Sequence, residues 1–247
     1  MKYSIITATY NSEAFLGRTL ASILSQSYPN FEWVVQDGGS TDNTLNILRK
    51  YSDSRIKIHS EPDTGIYDAW NKAVARATGD WAIFLGGDDF FLHQDVLVKC
   101  HRHIRRLDKR ILFAYGALIW LRGDNVERRQ SYTLQELYTR FSYGVGFPFA
   151  ATFIRLRLLR RYPFDAEHYK IAGDYDFVAR FVTHDNVARI PVMAVGMEKG
   201  GVSSTPKYHC LMLNEVCRVM HERVLPRSSE FMLGCFENYW EQDDHLE

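Results

Sequence analysis

Two neighbouring carboxylates, Asp88 and Asp89, close the stretch Gly79-Asp80-Trp81-Ala82-Ile83-Phe84-Leu85-Gly86-Gly87-Asp88-Asp89. Paired oxygen ligands of this kind suit Mg²⁺ or Mn²⁺, held by one or two carboxylates together with phosphate oxygens. The two glycines let the backbone approach a ligand closely. An acidic loop capping the next helix is the competing reading of these residues taken alone. A second acid, Asp37, opens Asp37-Gly38-Gly39-Ser40-Thr41-Asp42, where a plain turn residue ahead of a helix is the alternative. Asp68, Asn71 and Lys72 stand three and four apart, so they share a helix face. That cluster is either a solvated face or a place where a lysine meets a phosphate. Asp174 and Asp176 head a helical pattern behind Gly173, a position at which an acid also serves as cap or dipole partner.

Open α/β sheets place their ligands outside the carboxyl ends of the strands. The segments before each acid therefore decide whether these groups can meet. Trp81 to Leu85 is an apolar run of strand length bounded by turn residues, which suits a strand covered on both faces. Tyr3 to Thr9 reads as the opening strand and Ala8-Thr9-Tyr10-Asn11 as its turn, with Asn11 or Ser12 capping a helix. Leu16, Leu20, Ile23 and Leu24 fall on one face of that helix, and Tyr28-Pro29 ends it. Phe31 to Gln36 is a second strand, Asn43 to Tyr51 a helix with Leu45 and Leu48 inward, and Arg55 to His59 a third strand. From Ile66 a helix runs to about Ala77, with Ile66, Ala69, Ala73 and Val74 as its buried face. This β-α-β-α-β order with short connections predicts an α/β fold with a mostly parallel twisted sheet flanked by helices.

In the second half, Asp95 to Leu107 reads as a helix with His101, Arg102, His103, Arg105, Arg106, Lys109 and Arg110 outward. That is either a solvated face or a patch for anionic lipid headgroups. Ile111 to Leu121 is a strand, turned back into a hairpin-like segment by Arg122 to Asn125. Tyr132 to Phe141 is a short helix, and Ala150 to Ile154 a strand. The helix from Gly173 buries Phe177, Val178 and Phe181, and Arg189 to Gly196 is a late strand. Gly200 to Ser204 is a loop, either phosphate-facing or simply flexible. Tyr208 to Leu225 is a helix bearing Leu211, Val216, Val219 and Met220, and the aromatic-rich Phe231 to Trp240 follows.

The 247 residues allow one large domain or one and a half. A hydrophobic share of 46% is ample for a core, and a net charge of zero gives no pointer to nucleic acid. No apolar run approaches the roughly 18 to 20 residues that span a bilayer. MKYSIITATY reads as a strand and not as a signal peptide. Cys100, Cys210, Cys217 and Cys235 lack CxxC spacing and read as free thiols of a reducing cytoplasm. The turn ATYNSE after the first strand has no glycine, which speaks against a dinucleotide site.

TATYN, QDGGSTDNT, SEPDTGIYDAWNKA and GDWAIFLGGDD, in this order, resemble the family-2 glycosyltransferases of the GT-A fold. The likeness is strongest to bacterial enzymes of surface-polysaccharide synthesis, of the colanic-acid type. It spans roughly residues 1–205 and implies a GT-A domain there, with a donor-binding half at about 1–92 and an acceptor half at about 93–205. Residues 206–247 are then a C-terminal helical extension. By this resemblance Asp37 contacts the nucleotide base, Asp89 binds the Mg²⁺ or Mn²⁺ on the donor diphosphate, and Asp174 is the catalytic base. Thr9, Tyr10, Asn11, Asp63, Asp68, Lys72, Asp88 and Asp176 are implied as substrate-binding residues. Gly87 stands where many members carry the first acid of DxD, and a His-Gln pair that relatives often show near Phe149-Ala150 is absent.

The implied activity is inverting transfer of a sugar from a nucleotide-diphosphate donor to a hydroxyl of a glycan or polyprenyl-lipid-linked acceptor. The implied setting is the cytoplasm, with peripheral contact at the inner membrane. Two rivals stand beside it. A sugar nucleotidyltransferase usually opens with a glycine-rich basic loop after the first strand, which ATYNSE is not. A catalytically inactive sugar-nucleotide-binding or scaffold protein of the same fold would be favoured by loss of Asp89 or Asp174, and both are present.

Overall fold

The computed structural model describes residues 1–123, 125–143, 146–198 and 206–227. Three apolar runs build the centre of its sheet. β1 (Tyr3–Thr9) lies between β2 (Phe31–Asp37) and β4 (Trp81–Phe84), both parallel to it, with Ile5 opposite Trp33 and Ile83. β3 (Ile56–Ser60) extends the parallel set beyond β2. Successive side chains of a strand point to opposite faces. Ile5, Trp33, Val35, Trp81 and Ile83 accordingly enter one core, and Ile6, Val34, Ala82 and Phe84 the other. Covering on both faces is what makes these strands read as unbroken apolar runs.

The first core is closed by α1 (Leu16–Leu24), α2 (Thr44–Arg49) and α4 (Val96–Ile104), which contribute Leu16, Leu20, Ile23, Leu48, Leu97 and Cys100. The second is closed by α3 (Ile66–Arg76), α5 (Leu134–Ser142), α6 (Leu156–Arg161), α7 (Gly173–Phe181) and α8 (His209–Val219). The remaining strands are β5 (Phe90–Phe91), β6 (Phe113–Arg122), β7 (Asn125–Gln130), β8 (Thr152–Arg155) and β9 (Val187–Glu198). Among the described residues the sheet has nine strands in the order β3-β2-β1-β4-β8-β6-β9-β5, with β7 on β6. β8 is antiparallel to β4 and β6, so β6 and the parallel β9 run in the same direction as β1 to β4. The sheet is mixed but mostly parallel, as the element order predicts.

Several local expectations shift. Neither Asn11 nor Ser12 caps α1: Phe15 occupies the cap position without a side-chain bond, and a turn accepting at the Ser12 carbonyl precedes the helix. In α3 the inward positions are Tyr67, Ala69, Trp70, Ala73 and Val74, whereas Ile66 is 41% exposed, because the larger aromatic rings claim the contact with the sheet. α5 starts later than expected, behind a capping box in which Thr133 and Glu136 satisfy each other's backbone N–H groups. α8 ends at Val219 and passes into a π-helical turn, Met220–Val224, while Leu211 stays at the surface. β5 has two residues, too short for any sequence period to show. The expected loop at 200–204 and the aromatic stretch at 231–240 lie outside the described residues, as do Cys235, Asp124 in the β6–β7 turn and the pair 144–145.

Candidate active site

Parallel pairing of β1, β2 and β4 brings three sequence-distant turns to one end of the sheet. Asp37 ends β2, and Thr9 ends β1 directly beside it. The Asp37 carboxylate is fully buried and accepts five hydrogen bonds: from Thr9 Oγ1 (3.1 Å), Ser40 Oγ (2.5 Å), Ser60 Oγ (2.7 Å) and the N–H groups of Gly39 (3.0 Å) and Ser40 (2.9 Å). Burial pushes its pKa up, but these donors outweigh burial and hold it below the usual carboxylate range. The acid thus organises the loop 38–41 before any ligand arrives. Asn11, in the left-handed region at φ 48°, ties the neighbouring turn to that loop. Its N–H donates to Ser40 Oγ (2.8 Å) and its Oδ1 accepts from the Thr41 N–H (2.9 Å). Tyr10, between Thr9 and Asn11, is 65% exposed, an aromatic face offered to solvent at this end of the sheet.

Asp63 reaches the same place from the loop before α3. A Cβ at Gly38 would press on the Asp63 carboxylate, so a larger residue there would displace that side chain. One oxygen of Asp63 accepts from the Gly65 N–H (3.0 Å), and burial raises its pKa. Asp68 and Lys72 pair with each other at 3.0 Å. Asp68 also accepts from the Thr64 N–H (3.0 Å), and Lys72 donates to the Pro62 carbonyl (2.7 Å). These two residues brace the 61–65 loop.

The Gly86-Gly87-Asp88-Asp89 turn follows β4. Asp89 Oδ2 accepts from the Gly86 N–H (2.8 Å), and among the described residues neither Asp88 nor Asp89 forms an ion pair. Burial, then the charge of Asp88, pushes Asp89 up to about 7. Burial also raises Asp88, and the charged neighbour acting on it is another acid, Glu198. Glu198 stands at the end of β9, where it pairs with Arg18 at 3.2 Å. A carboxylate pair whose charged neighbours are themselves acidic is a donor set that a divalent cation completes. The chemistry of this turn fits the group that the sequence implies. Among the described residues no three His, Cys, Asp or Glu side chains converge on one point, so further ligands would have to come from elsewhere.

Asp174 sits in the first turn of α7 and lines a small recess of about 40 Å³ together with Gly146, Phe147, Phe149 and Tyr175. Phe149 joins this recess to the end of β4, with ring centres 5.4 Å from Phe84 and 5.5 Å from Trp70. Tyr67 of α3 places its hydroxyl 3.1 Å from Asp174 Oδ1 and 2.6 Å from the Ile171 carbonyl, and burial raises the pKa of both side chains. Asp176, expected on the substrate side, is instead buried between Arg180 (2.9 Å) and Arg223 (3.3 Å), and holds α7 to the segment after α8. The helix period explains this outcome, because two residues along a helix turn about 200° away.

Tyr67 and Glu198 are the site residues that sequence patterns did not single out. Each acts on an acid far along the chain, and no spacing rule connects them. The groups provide a pre-organised acidic edge at Asp37 and Asp63, a cation-seeking pair at Asp88 and Asp89, and a carboxylate beside an apolar recess.

Known proteins resemble this chain in sequence and in fold. The sequence profile described as Glycosyl transferase family 2 matches residues 4–164. Over 210 residues the chain is 35% identical to a PGL/p-HBAD biosynthesis glycosyltransferase of Mycobacterium bovis, covering 82% of this chain and 79% of that one. Staphylococcus aureus TarS 1–349 in complex with UDP-GlcNAc superposes with a TM-score of 0.70 at 22% identity, covering 93% of this chain and 69% of that one. In the UDP complex of the same protein the chain spans 64% of the solved length. Glucosyl-3-phosphoglycerate synthase from Mycobacterium tuberculosis, in complex with Mn²⁺, UDP and glucosyl-3-phosphoglycerate, gives a TM-score of 0.63 at 16% identity over 90% of this chain and 80% of that one. At these identities the two solved structures speak for the fold. With the profile spanning more than half of the chain, the protein belongs to glycosyl transferase family 2 and has the GT-A fold.

Proposed function

We propose that this glycosyltransferase moves a sugar from a nucleotide-diphosphate donor to a hydroxyl of a glycan or lipid-linked acceptor, with inversion, in the synthesis of a bacterial surface polysaccharide or glycolipid. The observation that carries the reading is the position of Asp174 at an apolar recess that Phe149 links to the carboxyl end of β4. The Asp174 carboxylate takes the proton of the acceptor hydroxyl as its oxygen attacks the anomeric carbon. The bond from that carbon to the diphosphate oxygen breaks, and its electron pair leaves with the nucleoside diphosphate. A single displacement needs no covalent nucleophile. The solved relatives of this fold hold UDP, UDP-GlcNAc or UDP with Mn²⁺, which supports a nucleotide-sugar donor and a divalent ion. Asp88 and Asp89 would hold that ion, which when bound offsets negative charge on the departing diphosphate. We assign Asp37, Asp63, Thr9, Tyr10 and Asn11 to the nucleotide side, and Lys72 with Asp68 to the loop that supports it.

The mycobacterial relative is named a PGL/p-HBAD biosynthesis glycosyltransferase, which supports a part in a biosynthetic pathway. We place the enzyme at the cytoplasmic face of the inner membrane, held there by charge. Among the described residues no helix is long and apolar enough to cross a membrane. Arg102, His103, Arg105, Arg106 and Lys109 are exposed, and Arg157 of α6 donates to the Lys109 carbonyl (3.1 Å), which brings a further cation to the patch. His101 does not belong to it, since its ring packs on Tyr28 and bonds the Tyr3 hydroxyl (3.2 Å). Each cation near an anionic surface contributes about 1 kcal/mol at most. Flotation with anionic liposomes at low salt should recover the protein, and absence from the floated fraction would leave a solvated face.

Replacing the base tests the chemistry. Asp174→Asn should keep the fold and donor affinity and slow transfer by about 10²–10⁴-fold. Asparagine also caps a helix, so near-native transfer by this variant would return Asp174 to a capping role.

A further inference from the structure

Asp174 is held by groups on both sides of the backbone that carries it. On the carbonyl side, Tyr67 bonds the Ile171 oxygen. On the N–H side stands Glu215 of α8, only 5% exposed although charged. Glu215 Oε1 accepts from the Lys170 N–H (2.8 Å), and Oε2 accepts from the N–H groups of Ile171 (2.8 Å) and Ala172 (2.8 Å). These are three consecutive N–H groups leading into α7, whose own cap residue, Ala172, has no side-chain acceptor to offer. A carboxylate at a helix start is also favoured by the helix dipole.

The next turns of the same segment fix the rest of the helix head. The Tyr175 hydroxyl lies 2.9 Å from Met220 Sδ and donates to the Phe141 carbonyl (3.1 Å), and Arg223 pairs with Asp176. Val219 and Val224 are buried in the same core as Phe177. Burying a carboxylate costs free energy unless its oxygens are bonded. Among the described residues its bonds go to the backbone immediately before the proposed base, and not to a cation that would anchor α8 on its own.

We infer that Glu215 is a positioning residue for transfer, a remote cap that fixes the head of α7 so that Asp174 faces the acceptor hydroxyl. The inference rests on the reading of Asp174 as the base. It gives the segment after residue 205, beyond the matched family profile, a part in the reaction. Among the described residues the ionisable groups acting on Asp174 are Tyr67 from α3 and, at longer range, Glu215, whose negative charge adds to the rise that burial causes.

The test is a comparison of Glu215→Gln and Glu215→Asp with the native full-length chain. The substrate is the member of a panel of UDP- and GDP-sugars cleaved fastest, followed as nucleoside diphosphate released. Glutamine keeps the shape but turns an amide group toward N–H donors and removes the charge. It should lower kcat about 10- to 100-fold, as expected for a small misplacement of a reacting group. UDP or GDP affinity should stay native, and the acid limb of the pH–rate profile should move to lower pH, because a negative neighbour of Asp174 is gone. Aspartate keeps the charge, so its acid limb should stay native while kcat recovers in part.

A lower melting temperature with native kcat per folded molecule and a native pH profile would overturn the inference and leave a structural clamp. Should the glutamine variant not fold, the aspartate variant decides by the same readings: reduced kcat at native nucleotide affinity supports positioning, and native kcat refutes it. Asp174→Asn separates the two levels. If that variant retains its rate, the base assignment fails, whereas its collapse beside a native Glu215→Gln defeats the positioning role alone.

Discussion

Strand β2 buries one carboxylate near each end, and the two ends of the sheet treat their acids differently. At the amino end, Glu32 accepts from Lys2 Nζ (2.8 Å), Lys57 Nζ (2.5 Å), Ser4 Oγ (2.7 Å) and Thr78 Oγ1 (2.7 Å), and also from the Thr78 N–H. Burial opposes the ionised form, but two ammonium groups and the hydroxyl and amide donors hold Glu32 well below the usual carboxylate range. At the carboxyl end, among the described residues, neither Asp88 nor Asp89 pairs with a cation, and their pKa values rise. An acid that the chain itself satisfies ties the fold together. An acid left without a cation is stabilised only when something else arrives. Asp37 lies between these cases: backbone and hydroxyl donors satisfy it and so shape a loop, with no cation among them.

The largest effect should come from the unpaired end. Asp89→Asn retains an oxygen for the Gly86 N–H but removes the charge, and transfer should fall by about 10³-fold or more. Its melting temperature should stay level or rise, since an uncompensated buried charge is gone. A variant that unfolds while transferring normally per folded molecule would erase the contrast between the ends.

A second test uses pH. Burial raises Asp174, and its ionised form is the one that accepts a proton. The rate should therefore decline as pH falls through a pKa above the ordinary aspartate value of about 3.9. A profile flat down to about pH 4 would contradict the assignment.

The smallest effect belongs to the paired end. Glu32→Gln should cost about 1–3 kcal/mol of stability by leaving donors unmatched, with the rate per folded molecule unchanged. The sign of its pH dependence follows from linkage. The folded pKa of Glu32 is depressed, so its contribution is present above the unfolded value of about 4.3 and is lost as pH falls toward the folded one. Acid unfolding followed by circular dichroism should show this loss in the native protein and a weaker one in Glu32→Gln. Equal acid sensitivity would mean that Glu32 is not the residue responsible.

Much of the cluster around Asp37 and Asp89 was legible because it is local. Each acid there follows a strand that periodicity reveals, and parallel pairing then brings Thr9, Asp37 and the Gly86–Asp89 turn together without further information. The surroundings of Asp174 depend on long-range contacts. Tyr67 bonds a residue more than a hundred positions away, and Glu215 reaches back to the head of α7 from a helix that looked like an extension. Asp176 shows the converse: the resemblance implied it as a substrate-binding residue, and the helix turned it into the core against Arg180 and Arg223. Aromatic packing likewise overrode a pattern-based inward position for Ile66. Residue type marks what a group can do, but where a helical face points is fixed by what packs against it.

The central claim, that the carboxyl end of the sheet is an incomplete site finished by a cation and a nucleoside diphosphate, has a direct measurement. UDP and GDP are titrated calorimetrically into the full chain with Mn²⁺ and again in EDTA, and the same is done with Asp89→Asn. The account predicts that one of these nucleotides binds the native protein with Mn²⁺ and at least about tenfold more weakly without it, and that Asp89→Asn erases this difference. Equal nucleotide affinity in Mn²⁺ and EDTA, unchanged in the variant, would contradict it.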